Sequence, residues 1–256
     1  MSFLVAENIS LQFGGLKAVD QVNFAVEKGE IFTIIGPNGA GKTSIFNLIS
    51  RLYNPTSGKL YFEGRDITEV PPHQIAKLGI ARTFQNIELF ENATMLANLL
   101  VGRHCHATTQ LWQEMLFLPS VRREEIRQRE AVEKIIEFVE LERYRHTAVG
   151  GLPFGTQKII GFARALANEP AILLLDEPSA GLNREEREDL ARFILRIKHQ
   201  LGIAMIWIEH DMQMVADLAD RIHVLDYGRT LASGPADAVL KDEKVIAAYL
   251  GTKKQH

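Results

Sequence analysis

The segment Gly36-Pro37-Asn38-Gly39-Ala40-Gly41-Lys42-Thr43 constrains this chain more than any other. It fits the pattern G-x-x-x-x-G-K-[ST], and it stands between an apolar run at residues 30–35 and a stretch, 44–49, suited to open a helix. Strand, glycine-rich turn and helix in that order make a P-loop. The glycines let backbone N–H groups converge on phosphate oxygens, Lys42 brings a cation to the β- and γ-phosphates, and Thr43 offers a hydroxyl to Mg²⁺. With Ser44 behind them, these residues are expected to bind a nucleoside triphosphate. The competing reading, a plain glycine-rich turn, does not explain why a strand precedes it and a helix comes after it.

The rest of the chain agrees with an α/β fold. Short runs rich in Ile, Val and Leu at residues 30–35, 171–175 and 203–209 alternate with segments of helical period, the pattern of a parallel sheet covered by helices. Between the last two runs, Asn183 and Glu186 form a capping-box pair. Leu190, Phe193, Ile194, Ile197 and Leu201 then recur at helical spacing until Gly202. Near the N-terminus, residues 4–12 and 21–26 alternate apolar and polar side chains, which predicts an antiparallel β-layer ahead of the core. From about residue 86 to 157 strand signals vanish. Residues 121–141 read as a charged amphipathic helix, with Glu125/Arg129 and Glu130/Lys134 placed to pair at i, i+4. We therefore expect a P-loop core from residues 1–85 and 158–256 and an inserted helical subdomain at 86–157.

Composition narrows the function classes. Of the 256 residues 46% are hydrophobic and 24% charged, as in a folded globular chain, and the net charge of −3 offers no basic excess for general binding to nucleic acid. Cys105 is the single cysteine, so no intrachain disulfide forms, and no Cys/His cluster has zinc-ligand spacing. Glu7 and Asn8 interrupt the first apolar residues, leaving no visible signal peptide, and no apolar stretch approaches the roughly 20 residues of a membrane-spanning helix. Membrane association is expected to go through a partner.

Residues 171–175 lead into Asp176 and Glu177. A carboxylate at the C-terminal edge of a parallel strand is where a P-loop enzyme holds its metal's water shell, and the adjacent Glu177 can polarise a water for in-line attack. Acids at strand ends are equally often solvated residues or caps; the P-loop favours the catalytic reading.

With these motifs in order over nearly the whole chain, the sequence resembles the nucleotide-binding subunit of an ATP-binding-cassette transporter. The resemblance implies ATP and Mg²⁺ as ligands. It makes Gln85, in Arg82-Thr83-Phe84-Gln85-Asn86, the glutamine that senses Mg²⁺ and γ-phosphate and links core to helical subdomain, and His210, in Ile208-Glu209-His210-Asp211, the switch histidine at the γ-phosphate. From residue type alone the two would be a loop glutamine and an ordinary histidine. Thr43, Gln85 and Asp176 become the metal-site residues, and Glu177, Gln85 and His210 the catalytic ones. Phe13 matches the aromatic that stacks on adenine, and Ala18 lines the same slot; Phe13 can also be read as an apolar edge residue of the β-layer.

In this family a Leu-Ser-Gly-Gly-Gln signature meets the ATP bound by the opposite subunit of a head-to-tail dimer. Here the position reads Leu152-Pro153-Phe154-Gly155-Thr156-Gln157. Pro153 replaces the serine and removes a hydroxyl and an N–H, Thr156 replaces the glutamine, and Asn183 stands where the next loop usually has aspartate. The composite site made with this signature is therefore expected to hydrolyse ATP more slowly than its reciprocal.

The resemblance narrows to the ATPase subunits of bacterial branched-chain amino acid importers, carried by Phe13-Gly14-Gly15-Leu16-Lys17-Ala18-Val19, the Gln85 segment, Ala180-Gly181-Leu182-Asn183 and the ending Ala248-Tyr249-Leu250-Gly251. That branch implies membrane permease subunits, a second cassette ATPase subunit (heterodimer or homodimer), an extracytoplasmic substrate-binding protein acting indirectly, and a peripheral place on the cytoplasmic face of the bacterial inner membrane. Residues 86–90 are candidates for touching a permease helix, or equally for subdomain core. Two other readings remain at this point, an exporter or lipid-extraction ATPase and a soluble cassette clamp acting on ribosomes or DNA.

Overall fold

Alternating residues near the N-terminus pair into a hairpin of β1 (Leu4–Phe13) and β2 (Leu16–Val26). The register slips between Ala6 and Ile9, where Asn8 adopts a positive φ of 47°; this bulge lets the buried positions step from Ala6 to Ile9 without leaving the core face. The layer extends further than the alternation predicts, because β4 (Ser57–Phe62) and β5 (Arg65–Asp66) complete a four-stranded sheet of order β2-β1-β4-β5. Gly58 makes that pairing possible: a Cβ there would meet the Asn8 carbonyl oxygen at 2.3 Å. The computed structural model describes residues 2–83, 88–106, 115–116 and 119–251.

The core sheet has the order β10-β9-β3-β8-β7-β6, built from β3 (Ile31–Ile35), β6 (Ile80–Thr83), β7 (Ile172–Asp176), β8 (Ala204–Ile208), β9 (Arg221–Asp226) and β10 (Arg229–Pro235). All of its pairings are parallel except that of β9 with β10. Every residue of β3, β7 and β8 is buried, which is why these strands read as unbroken apolar runs rather than alternating ones. The observed ends differ from the expected ones by a residue. Glu30, for example, lies before its strand, and its carboxylate accepts the Glu27 N–H at 2.6 Å.

Helices cover both faces: α1 (Lys42–Ile49), α2 (Pro72–Ile75), α3 (Met95–Gly102), α4 (Pro119–Phe138), α5 (Phe154–Leu166), α6 (Arg184–Arg196), α7 (Met212–Leu218), α8 (Ala236–Val239) and α9 (Glu243–Gly251). Met95 and Leu99 of α3, Val132 and Ile136 of α4, and Ile160 and Phe162 of α5 share one core cluster with Leu173, Leu175 and Trp207 of the sheet. The helical segment is thus packed onto the core rather than tethered to it, each buried apolar side chain adding about 1.5–3 kcal/mol. Among the described residues no helix is long and apolar enough to cross a membrane.

Two local expectations need correction. Neither Glu125/Arg129 nor Glu130/Lys134 pairs on α4; instead Arg127 pairs with Glu124 one turn away at 3.3 Å, and Glu133 pairs with Arg145 beyond the helix at 2.6 Å. Exposed i, i+4 pairs are worth only a few tenths of a kcal/mol, too little to fix a long side chain against its rotamer entropy. At the end of α6, residues Ile197–Leu201 form a π turn before Gly202 (φ 65°), and the changed pitch turns Leu201 off the apolar face, leaving it 47% exposed. The predicted capping box is present, with Asn183 Oδ1 accepting the Glu186 N–H at 3.0 Å and Glu186 Oε2 accepting the Asn183 N–H at 2.9 Å.

Candidate active site

Parallel register assembles the site. Ile34 of β3 lies beside Ile208 of β8, and Ile208 lies beside Asp176 of β7, so the three chains leave the sheet next to one another. The loops that leave these strands therefore meet at one C-terminal edge: the P-loop after β3, Glu177 after β7 and His210 after β8. They share a pocket of about 430 Å³ lined by Asn38 to Ser44, Glu177 and His210, with Leu16, Lys17, Ala18 and Tyr227 closing its side.

The P-loop is folded around its lysine. Lys42 is 6% exposed, and its Nζ donates to the carbonyls of Gly36 at 2.7 Å and Pro37 at 3.0 Å. Burial pulls its pKa below the usual lysine value, opposed by the nearby charges of Glu177 and Asp176. Gly41, at φ 100°, caps α1, and a Cβ there would meet the Ala18 carbonyl at 2.4 Å, so only glycine lets Ala18 close on the loop.

Glu177 and His210 are in direct contact, with Oε1 to Nε2 at 2.8 Å. A carboxylate only accepts, so Nε2 carries the hydrogen in this arrangement. Glu177 takes a left-handed φ of 47°, a strained conformation for a residue other than glycine, and its N–H donates to the Ile208 carbonyl at 2.9 Å. Behind them Glu209, 2% exposed, accepts the N–H groups of His210 at 2.8 Å, Asp211 at 3.2 Å and Ser179 at 3.3 Å, fixing the backbone of both loops.

The donors present suit a hard divalent cation: the hydroxyl of Thr43 at the head of α1 and the Asp176 carboxylate at the end of β7 are all-oxygen ligands. Among the described residues no group of three His, Cys, Asp or Glu is placed to hold a metal ion.

Phe13 stands at the end of β1 opposite Leu16, edge-on to Tyr53 at 5.2 Å and 46% exposed; Leu16, rather than Phe13, lines the pocket. Gln85, with Asn86 and Ile87, lies outside the described residues; β6 ends at Thr83 beside Leu175, at the same edge of the sheet.

The signature positions lie at the head of α5, away from this pocket. Leu152 is buried, Pro153 takes the N-cap position, and Phe154, Gly155 and Thr156 form the first turn, whose N–H groups precede any intrahelical carbonyl. Gln157 donates to the Leu152 carbonyl at 2.8 Å. Phe154 is 47% exposed and its ring lies over Gly181, where a Cβ would come within 3.1 Å. Buried Lys158 donates to the carbonyls of Pro178, at 2.8 Å, and Ala180, clamping α5 to the loop after Glu177.

Sequence reasoning missed Glu209, Lys158 and Tyr227. Glu209 had one available signal, an acid ending an apolar run next to His210. Lys158 and Tyr227 had none: one bonds to a loop remote from its own turn, and the other is an exposed hairpin residue.

Residues 19–180 match the ABC transporter family, and residues 229–254 match the branched-chain amino acid ATP-binding cassette transporter family. Among curated relatives, the high-affinity branched-chain amino acid transport ATP-binding protein BraF of Pseudomonas aeruginosa is 39% identical over 97% of both chains. Its counterpart LivG of Escherichia coli K12 is 37% identical, also over 97% of both. A solved ATP-binding cassette of an ABC transporter in its ADP conformation superimposes with a TM-score of 0.86 at 34% identity, covering 98% of this chain and 99% of that one. A P-loop, an acid-ended strand and a facing histidine on one sheet edge, within a chain matched from end to end, make this protein a member of the ATP-binding-cassette family of transporter ATPases, in its branched-chain amino acid branch.

Proposed function

We propose that this chain is the ATP-hydrolysing subunit of a bacterial importer for branched-chain amino acids or related small amides and acids. The observation that carries the proposal is the 2.8 Å contact of Glu177 with His210 in the pocket of the P-loop, in a chain whose relatives named for this transport match over 97% of their length.

In this reading residues 36–44 wrap the phosphates, and Lys42 exchanges its carbonyl partners Gly36 and Pro37 for phosphate oxygens. Adenine lies toward Ala18, with Phe13 at the rim. Thr43, Asp176 and Gln85 would hold Mg²⁺, which when bound would neutralise negative charge on the phosphates. Glu177 accepts the proton of the attacking water, and His210 orients Glu177 and the γ-phosphate. Residues 152–157 close onto the nucleotide of a second cassette subunit, homologous or identical, so ATP binding favours the closed dimer.

Residues 86–157 act as the helical subdomain against a core of residues 1–85 and 158–256. Between them runs a groove of about 460 Å³ whose walls include Leu52, Ile75, Glu88, Val101 and Arg164. A cytoplasmic helix of the permease fits there. Of the candidate contact residues, Leu89 packs into the core while Glu88 and Phe90 are exposed, and buried Asn98 holds the Phe90 backbone from both sides, at 2.8 and 3.1 Å. The chain then sits on the cytoplasmic face of the inner membrane through its permeases, with an extracytoplasmic binding protein delivering substrate and no nucleic acid involved.

Gentle solubilisation of native membranes, capture of this chain and mass spectrometry test the assignment. Two polytopic permeases with a second cassette chain are the expected catch. Recovery only from the soluble fraction, with ribosomes or DNA, would overturn it.

A further inference from the structure

Asp176 is 7% exposed at the end of β7, and its Oδ2 receives Nη2 of Arg82 at 2.8 Å. Arg82 comes from the neighbouring strand β6, and with a side-chain exposure of 10% it is as enclosed as the carboxylate it meets. Its other amino group, Nη1, donates to Asn47 Oδ1 at 2.7 Å and to Ser50 Oγ at 3.3 Å, while the guanidinium carbon lies 5.5 Å from the centre of the Phe46 ring. Phe46 and Asn47 belong to α1, the helix that begins at Lys42 and Thr43, and Ser50 is its C-cap. One planar group therefore bonds at one end to the helix that carries Thr43 and at the other to the Asp176 carboxylate.

Two effects oppose each other here. A fixed cation beside Asp176 competes with a metal for the carboxylate, which argues that Arg82 weakens the site. Yet the bond falls on Oδ2 alone, leaving Oδ1 able to accept, and an arginine fork holds two groups at a set separation in a way that a lysine ammonium does not. A cation wanted only to neutralise Asp176 would not also need bonds to Asn47 and Ser50. We propose that Arg82 is a positioning residue for the metal-nucleotide site: it sets the spacing between α1 and β7, and hence between Thr43 and Asp176, the two described side chains assigned to hold Mg²⁺. This rests on the Mg²⁺–ATP reading of the pocket.

The test measures binding of a fluorescent ATP analogue to the purified full chain, in EDTA and across a Mg²⁺ titration, with a thermal melt as the check on folding. Arg82→Lys keeps the charge and loses the fork; partners of this kind around a metal ligand change metal affinity by about 10- to 100-fold, so its half-saturating Mg²⁺ should rise by at least about tenfold while binding in EDTA stays unchanged. Asn47→Ala cuts only the arm to α1 and should shift half-saturation the same way by a smaller factor; it carries the test if Arg82→Lys does not fold. Wild-type Mg²⁺ dependence in the variants overturns the proposal, as does an equal loss with and without Mg²⁺, which is the mark of a merely structural role. Absence of any Mg²⁺ effect in the wild-type chain overturns the reading of the pocket itself, and is told apart by appearing before any substitution.

Discussion

Lys42 and Lys158 are both nearly inaccessible, 6% and 7% exposed, and each ammonium donates to two backbone carbonyls. Burial lowers the pKa of both, with nearby carboxylates opposing it. They differ in what their partners belong to. Lys42 bonds within its own loop, to carbonyls that phosphate oxygens can replace, whereas Lys158 ties the signature helix to the loop after Glu177, where no ligand is due. The P-loop region is therefore satisfied inside one chain and open to exchange with a nucleotide. The signature region is rigidly mounted, and on the proposed function its ligand is the nucleotide of a second subunit. A buried lysine's partners, more than its burial, therefore separate a binding group from a structural one.

Replacing each lysine in turn separates the two roles. Lys42→Ala should abolish nucleotide binding, measured by ATP titration. Lys158→Met should leave nucleotide affinity within about twofold but cost about 1–3 kcal/mol of stability, because the carbonyls it bonds stay buried without a donor. Loss of binding in the second variant and not the first would reverse the assignment.

The signature half is next. If Pro153 and Thr156 each withhold a charge-assisted bond to the opposite nucleotide, a bond worth about 1.5–3 kcal/mol, the two composite sites of a mixed dimer turn over unequally. Mutating the catalytic glutamate in one subunit at a time should give unequal losses of ATPase rate, and equal losses would contradict it. Pro153→Ser combined with Thr156→Gln should narrow the difference.

A further prediction concerns a residue away from both regions. His223, fully buried between Phe24 and Phe32 beside Arg221, has its pKa lowered from 6.5 to about 4, by burial first and by the arginine's charge second. The unfolded chain takes up this proton first, so the stability is present in full above about pH 6.5 and is lost as the pH falls toward 4, by up to about 1.4 kcal/mol per unit. Urea denaturation from pH 7 to 4.5 should show that slope, and His223→Phe should flatten it without changing ATP binding at pH 7.5.

Range along the chain decides what the sequence made legible. The P-loop is local: a turn whose glycines are set by neighbours in the chain can be recognised without the fold. Asp176 could be singled out because an apolar run ends there. Glu177 and His210 meet through the register of β7 on β8, which no spacing along the chain reveals, and it took a family resemblance to join them. The sequence assigns Arg82 no role, since its partners Asn47 and Asp176 lie far along the chain on either side. Strand β4 is not legible in the sequence because Ser57, Gly58 and Lys59 blur its alternation, and its pairing depends on a close approach to Asn8 that only the folded chain displays.

On the proposed function, Glu177 is the general base of an ATPase site assembled at one sheet edge. ATP turnover and oligomeric state of Glu177→Gln, measured together by phosphate release and light scattering in Mg²⁺–ATP, test it most directly. Turnover should be lost with ATP retained in a dimer, the carboxamide keeping the geometry of the contact with His210 while losing the base. Full turnover in Glu177→Gln would contradict it.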